Sequence, residues 1–150
     1  MERPVGGRVV RIARGEYAAA LPEDKHVFLV GDLRRPTSYP FVRDPRVELV
    51  LVSYEPGDDG SYHWHEAVTE YELVTEGEIG YFEVATRTTH WFAAGDLVAI
   101  PPGACVKRMV RSRARGVTLK VPSVAAKIHC DRCGRECTYR VAPFGGEALA

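Results

Sequence analysis

Short apolar runs punctuated by turn residues constrain this chain more than any other feature. Residues 8–13, 26–30, 47–54, 70–74, 79–85, 90–92, 97–100 and 117–121 are rich in β-branched or aromatic side chains and are bounded by Gly, Pro or Asp. Runs of that length and composition read as strands. The stretches 56–60 (Pro-Gly-Asp-Asp-Gly), 94–96 (Ala-Gly-Asp) and 101–103 (Pro-Pro-Gly) carry turn chemistry. Many evenly spaced short strands predict an all-β barrel or double-sheet jelly roll. Only residues 16–21 hint at a helical turn, and residues 33–45, with three prolines, read as a loop.

At 150 residues with 45% hydrophobic content, the chain is expected to form one domain with a buried core. No apolar run approaches bilayer length, and the first residues lack the apolar core of a signal peptide. The expectation is a cytoplasmic protein with no membrane partner. The formal net charge is zero, yet the charges are segregated. Nine acids and no Lys or Arg lie from Glu55 to Glu83, and six bases and no acid from Lys107 to Lys120. Pairing between neighbouring strands is the expected reading of this pattern; a cation-attracting mouth beside an anion-attracting patch is the alternative. The basic run has no aromatics to stack on bases, so no nucleic-acid partner is expected.

Chemistry concentrates in one frame: Gly57-x5-His63-Trp64-His65-x4-Glu70-x6-Gly77. His63 and His65 lie two apart, so a strand presents both on one face. Glu70 follows a short turn and enters from the next strand. Two imidazoles and a carboxylate form the ligand mix of an open divalent-metal site.

This frame resembles the first motif of the cupin superfamily, Gly-x5-His-x-His-x3–4-Glu-x6-Gly, at every specified position. The second cupin motif, Gly-x5-Pro-x-Gly-x2-His-x3-Asn, is met by Gly95, Pro101 and Gly103, but its histidine slot falls on Val106 and its asparagine slot on Val110. The resemblance covers about residues 45–122. It implies a cupin double-stranded β-helix over 46–122, with N-terminal strands and loop (1–45) that pair with a second subunit in a homodimer. It also implies a metal held inside the barrel by His63, His65 and Glu70, with Fe(II) foremost and Zn, Mn or Ni as alternatives.

Glu72 lies two residues after Glu70. On an unbroken strand both carboxylates face inward, and Glu72 becomes a candidate general acid or base; at a strand kink it faces solvent. Tyr54, Tyr81 and Arg108 are candidate pocket residues, Arg108 being suited to a substrate carboxylate. Trp64 is expected outside the barrel, and His26 and His90 have no partner motif. Cys105 adjoins the empty histidine slot, but strict alternation aims it at the opposite face.

Residues 123–150 form a cysteine-bearing tail, His129-Cys130-Asp131-Arg132-Cys133-Gly134-Arg135-Glu136-Cys137. Cys130-x2-Cys133-Gly134 has the form of a zinc knuckle, which Cys137 with His129, or with a more distant residue, would complete as a structural Zn site; a redox-active pair and free thiols are the alternatives. The function expected is a metal-dependent enzyme on a small polar molecule. A dioxygenase-type oxidoreductase leads. A non-catalytic small-molecule-binding or sensor module and an isomerase or epimerase are the alternatives.

Overall fold

The computed structural model describes residues 2–3, 7–22, 24–123, 127–130 and 137–141. In chain order its elements are β1 (Glu2–Arg3), α1 (Arg14–Tyr17), β2 (His26–Gly31), β3 (Phe41–Arg43), β4 (Glu48–Tyr54), β5 (His63–Trp64) and β6 (Thr69–Glu76). They continue as β7 (Glu78–Glu83), β8 (Thr88–Ala93), β9 (Leu97–Ile100), β10 (Val106–Met109), β11 (Ala114–Val121), β12 (Lys127–Cys130) and β13 (Cys137–Val141).

Two sheets result, one ordered β1-β3-β2-β4-β11-β6-β9 and the other β13-β12-β5-β10-β7-β8. From β4 to β11 the chain changes sheet at every connection except β7–β8. That winding produces an all-β double-stranded helix with the core between the sheets. Phe28, Val50, Val52, Val74, Val98 and Ile100 from the first sheet pack with Ile79, Tyr81 and Val106 from the second. A smaller cluster of Ala20, Val27 and Tyr39, with Tyr17 and Leu21 against it, packs the segment around α1 on β2.

Alternation along the central strands sets what the barrel interior contains. β4 turns Glu48, Val50, Val52 and Tyr54 inward, and β11 turns in Ala114, Gly116, Thr118 and Lys120. β6 buries Glu70, Glu72 and Val74. Register then aligns them in rows, Glu48–Lys120–Glu70–Ile100 beside Val50–Thr118–Glu72–Val98. The interior therefore has a polar band at one end and an apolar fill at the other.

Gly77 is the one residue between β6 and β7, which lie in different sheets. Its φ is +71°, and a Cβ there would fall 2.0 Å from the Arg113 carbonyl oxygen. Only glycine fits such a corner.

The structure departs from the sequence expectations at several places. Residues 8–13 are irregular rather than a strand, and Val9 is fully exposed; β-branched content without a sheet partner does not make a strand. The expected loop at 33–45 contains β3, which pairs in parallel with β1 and β2. The helical turn begins earlier than expected, as α1 and a following turn. The basic run takes in most of β10 and all but the last residue of β11. Its charges meet the acidic segment on the surface: Arg111–Glu78 at 2.6 Å, Arg113–Glu55 at 2.8 Å and Arg115–Glu76 at 3.6 Å. Exposed pairs of this kind contribute about 0–1 kcal/mol each.

Candidate metal and acid–base site

His63 and Trp64 make up β5, and His63 sits opposite Val106 of β10. The loop that delivers β5 is fastened to β10 beforehand. Gly57 N–H donates to the Val110 carbonyl, Gly60 N–H to the Arg108 carbonyl, and Val110 N–H to Asp59 Oδ1 at 2.8 Å. The Arg108 guanidinium donates to the Asp58 carbonyl at 3.1 and 3.3 Å and to Tyr54 Oη at 3.2 Å, and stacks over the Tyr54 ring. Arg108 thus clamps the loop from within the cavity wall. The role foreseen for it, capture of a substrate carboxylate, must compete with these contacts.

His63, His65 and Glu70 each offer one ligand atom, and the three lie within 4.8 Å of one another. His65 and Glu70 are buried, and His63 is half-buried. His63 Nδ1 is 3.0 Å from the Ser61 carbonyl. A carbonyl only accepts, so Nδ1 carries a proton; in the neutral ring that leaves the lone pair on Nε2, the tautomer a metal ligand needs. His65 Nε2 and Glu70 Oε2 stand 3.7 Å apart. That is too long for a hydrogen bond, but two atoms bound to one cation at about 2.0–2.2 Å can be that far apart. The donor set therefore fits a divalent cation.

Glu72 lies inward with Glu70, on an unbroken strand and 1% exposed. Its Oε2 accepts from Thr118 Oγ1 at 3.0 Å and Tyr81 Oη at 3.2 Å. Burial, reinforced by the neighbouring Glu70 charge, pushes its carboxyl up to about 7 against the opposing pull of those donors and of Arg108. Burial likewise holds the phenols of Tyr54 and Tyr81 well above their ordinary range, so both stay protonated.

Sequence reasoning passed over three further residues of the site. His26 Nε2 is 3.0 Å from Tyr54 Oη, and Thr118 binds Glu72 as above. Lys120 is buried between Glu48 and Glu70 in the register, with Nζ 3.3 Å from Glu48 Oε1. Burial works against its charge, but the carboxylates of Glu70, Glu48 and Glu72 outweigh that and raise its pKa. The alternation of β11 gave the signal, since Thr118 and Lys120 are two apart; what was missing was which face of that strand is inside. His90 lies away from this group, paired with Glu83 at 3.0 Å. Val106, in the empty histidine slot, is a buried core residue, and Cys105 beside it is half-buried.

The cavity at the site, bounded in part by His26, Tyr54, His63, Glu70, Arg108 and Lys120, is about 20 Å³, room for roughly one water or ion. Tyr81 also lines a neighbouring cavity of about 230 Å³ with Phe92, Val98 and Val106. A wider concavity, about 530 Å³, is lined in part by Lys25, Glu55, Asp58, Arg113 and Arg115. Those charges pair with one another, Lys25 with Asp58 and Arg113 with Glu55, so the buried cavity has the stronger claim to chemistry. Cys133 of the expected zinc set lies outside the described residues. For His129, Cys130 and Cys137 the described feature is backbone, on β12 and β13, with Cys130 opposite Cys137. Among the described residues no helix is long and apolar enough to cross a membrane.

No protein-family model and no curated protein matches the sequence. Solved structures do match. A conserved Klebsiella pneumoniae protein with a double-stranded β-helix domain shares 20% identity, with a TM-score of 0.53 over 59% of this chain and 74% of that one. A sugar phosphate isomerase of the cupin superfamily from Silicibacter pomeroyi, also 20% identical, has a TM-score of 0.53 over 69% of this chain and 66% of that one. Identity at that level speaks for the fold, not for the reaction. The chain has the cupin double-stranded β-helix fold, with a candidate His63–His65–Glu70 metal site inside it.

Proposed function

We propose that this protein is a metal-dependent enzyme that moves a proton on a small polar molecule, as an isomerase or epimerase does. The observation that carries this reading is the buried Glu72 carboxyl, two residues from a metal ligand and held by Tyr81 and Thr118. His63, His65 and Glu70 would hold a divalent cation, which when bound would supply Lewis-acid polarisation of a substrate oxygen. Glu72 would exchange the proton, with Tyr81 and Thr118 fixing the orientation of its Oε2. A carboxyl poised near neutrality suits both directions of such a transfer.

The test is exchange of substrate C–H for deuterium in D2O, followed by NMR across a panel of small hydroxy-aldehydes, hydroxy-ketones and their phosphates. Exchange that needs Glu72 and is lost in Glu72→Gln supports the reading. Turnover that survives Glu72→Gln refutes it. Dioxygenase-type oxidation is the second reading, favoured by the three-ligand set, which leaves about three positions of an octahedral ion to substrate and oxygen. Oxygen uptake by the Fe(II)-loaded protein checks it. A binding or sensor module is the third: Glu70→Gln would then keep ligand affinity while no turnover is found with any metal.

The homodimer remains part of the proposal. Tyr71, Leu73, Leu97 and Val121 are exposed on the seven-stranded sheet, and Leu73 pairs directly with Leu97; a second subunit would cover apolar surface there. Structural zinc on the tail cysteines is likewise proposed, and thiol-reagent release of one equivalent would support it.

A further inference from the structure

The cavity beside His63 and Glu70 measures about 20 Å³, room for an ion or a water and nothing larger. The body of a substrate whose oxygen meets the metal must therefore lie in an adjoining space. Two wider cavities were described above. The one of about 530 Å³ is walled in part by Leu51, Ser53 and Val117, which alternate with the inward residues of β4 and β11. It sits on the outer face, with the sheet between it and the metal ligands.

The cavity of about 230 Å³ lies on the interior face and adjoins the site along every ladder. Val106 stands opposite His63, Ile100 opposite Glu70 and Val98 opposite Glu72. Directly opposed residues share a face, with Cα atoms about 4.5–5.5 Å apart, and all three apolar partners line this cavity. Tyr81 borders both spaces: its hydroxyl donates to Glu72, while its ring meets Phe92 in a T-shaped contact at 6.4 Å between centroids. Position 106, where the second motif calls for a polar imidazole, instead continues the apolar wall. Glu83 and His90 also border the cavity, but they are paired with each other at 3.0 Å.

We propose that this cavity is the subsite for an apolar, phenyl-sized end of the substrate, whose oxygen-bearing head meets the metal and Glu72. The inference rests on the proposed function above and narrows its substrate class to a hydroxy-carbonyl compound bearing an aryl group. Size agrees, since an apolar cavity of about 150 Å³ takes a benzene molecule. A phenyl ring there would join the Tyr81–Phe92 pair as a third aromatic partner.

The experiment compares two ketones with the same head, hydroxyacetone and 2-hydroxyacetophenone, which differ in carrying a methyl or a phenyl group. Each is titrated into the Mn(II)-loaded full-length chain, and binding is read from broadening of the ligand's proton NMR lines, which paramagnetic Mn(II) causes only nearby. Wild type is expected to bind the phenyl ketone about 10- to 100-fold more tightly, the worth of burying one aromatic group. Ala104 lines the cavity and is half-buried, so Ala104→Phe fills it from the wall. That variant should bring the two affinities together and leave hydroxyacetone binding unchanged. Should Ala104→Phe fail to fold in a circular dichroism melt, benzene serves on wild type, displacing 2-hydroxyacetophenone but not hydroxyacetone.

Equal affinity of wild type for the two ketones overturns the inference and leaves the metal-site reading standing. A phenyl preference that survives Ala104→Phe, or that benzene does not compete away, overturns it too and places the ring elsewhere. Broadening of neither ketone, or broadening of both that persists in His63→Ala, refutes the metal-site reading itself, and this inference falls with it.

Discussion

Glu72→Gln should change how stability depends on pH, in a direction and by an amount that follow from the structure. Glu72 is 1% exposed, and its carboxyl is pushed up from 4.5 to about 7, by burial first and by Glu70 second. An acid whose folded pKa exceeds its unfolded pKa binds more protons when folded. Stability is therefore fully present below about pH 4.5, falls as pH rises, and has lost this contribution above about pH 7. A shift of that size corresponds to about 3 kcal/mol, at about 1.4 kcal/mol per pH unit. The glutamine variant keeps the same shape and has no proton to lose. In chelator-treated protein the stability of Glu72→Gln relative to wild type should thus rise by about 3 kcal/mol between pH 4.5 and 8, or roughly 6–12 °C in Tm for a chain of this size. Urea unfolding of both proteins at half-unit pH intervals measures it. A difference that stays flat across that range would refute the claim that Glu72 is buried and proton-bearing.

Three other outcomes are expected. Lys120→Met leaves Glu48 buried without its ammonium partner and should cost about 3–5 kcal/mol at neutral pH, whereas the double variant with Glu48→Met should recover most of that in chemical denaturation. Gly77→Ala forces a Cβ onto the Arg113 carbonyl at positive φ and should cost at least about 1–3 kcal/mol, read as a lowered Tm; an unchanged Tm would mean that the corner is built differently. Arg108→Lys removes the forked donors that clamp the Asp58 carbonyl and Tyr54, and should weaken Mn(II) binding about 10-fold with little change in Tm, as expected for a supporting group; unchanged affinity would show that the loop holds β5 without it.

How much of this was legible beforehand depended on how local each signal was. His63, His65 and Glu70 were readable because the frame that positions them is contiguous, and the same holds for the turns at 56–60 and 101–103. Strands 47–54 and 117–121 announced themselves by their residues. β3 and β10 did not, because parallel pairing to β1 and a run of basic residues carry no local strand signal. Glu72 stood undecided between inside and outside, since a kink anywhere in 70–74 would have reversed it; the straight β6 ladder against β11 decides it. Lys120 and Thr118 were invisible as site residues because their neighbours Glu48, Glu70 and Glu72 are distant in sequence or on another strand, and only the register unites them. The irregular 8–13 segment shows the converse: strand-like residues that find no ladder remain coil.

The single-residue corner at Gly77 has a mechanical consequence. Glu72 lies five residues before it and Tyr81 four after, on strands in opposite sheets, and the two side chains meet at 3.2 Å. At about 3.3 Å per residue, each arm is roughly 13–17 Å long. A corner that opens by only about 4° would separate the arm tips by about 1 Å, which takes the Tyr81–Glu72 contact beyond hydrogen-bonding range. The angle at Gly77 is thus a lever on the acid, so slackness in that turn would reach the cavity amplified, while the packing of Arg113 against the glycine keeps the lever still.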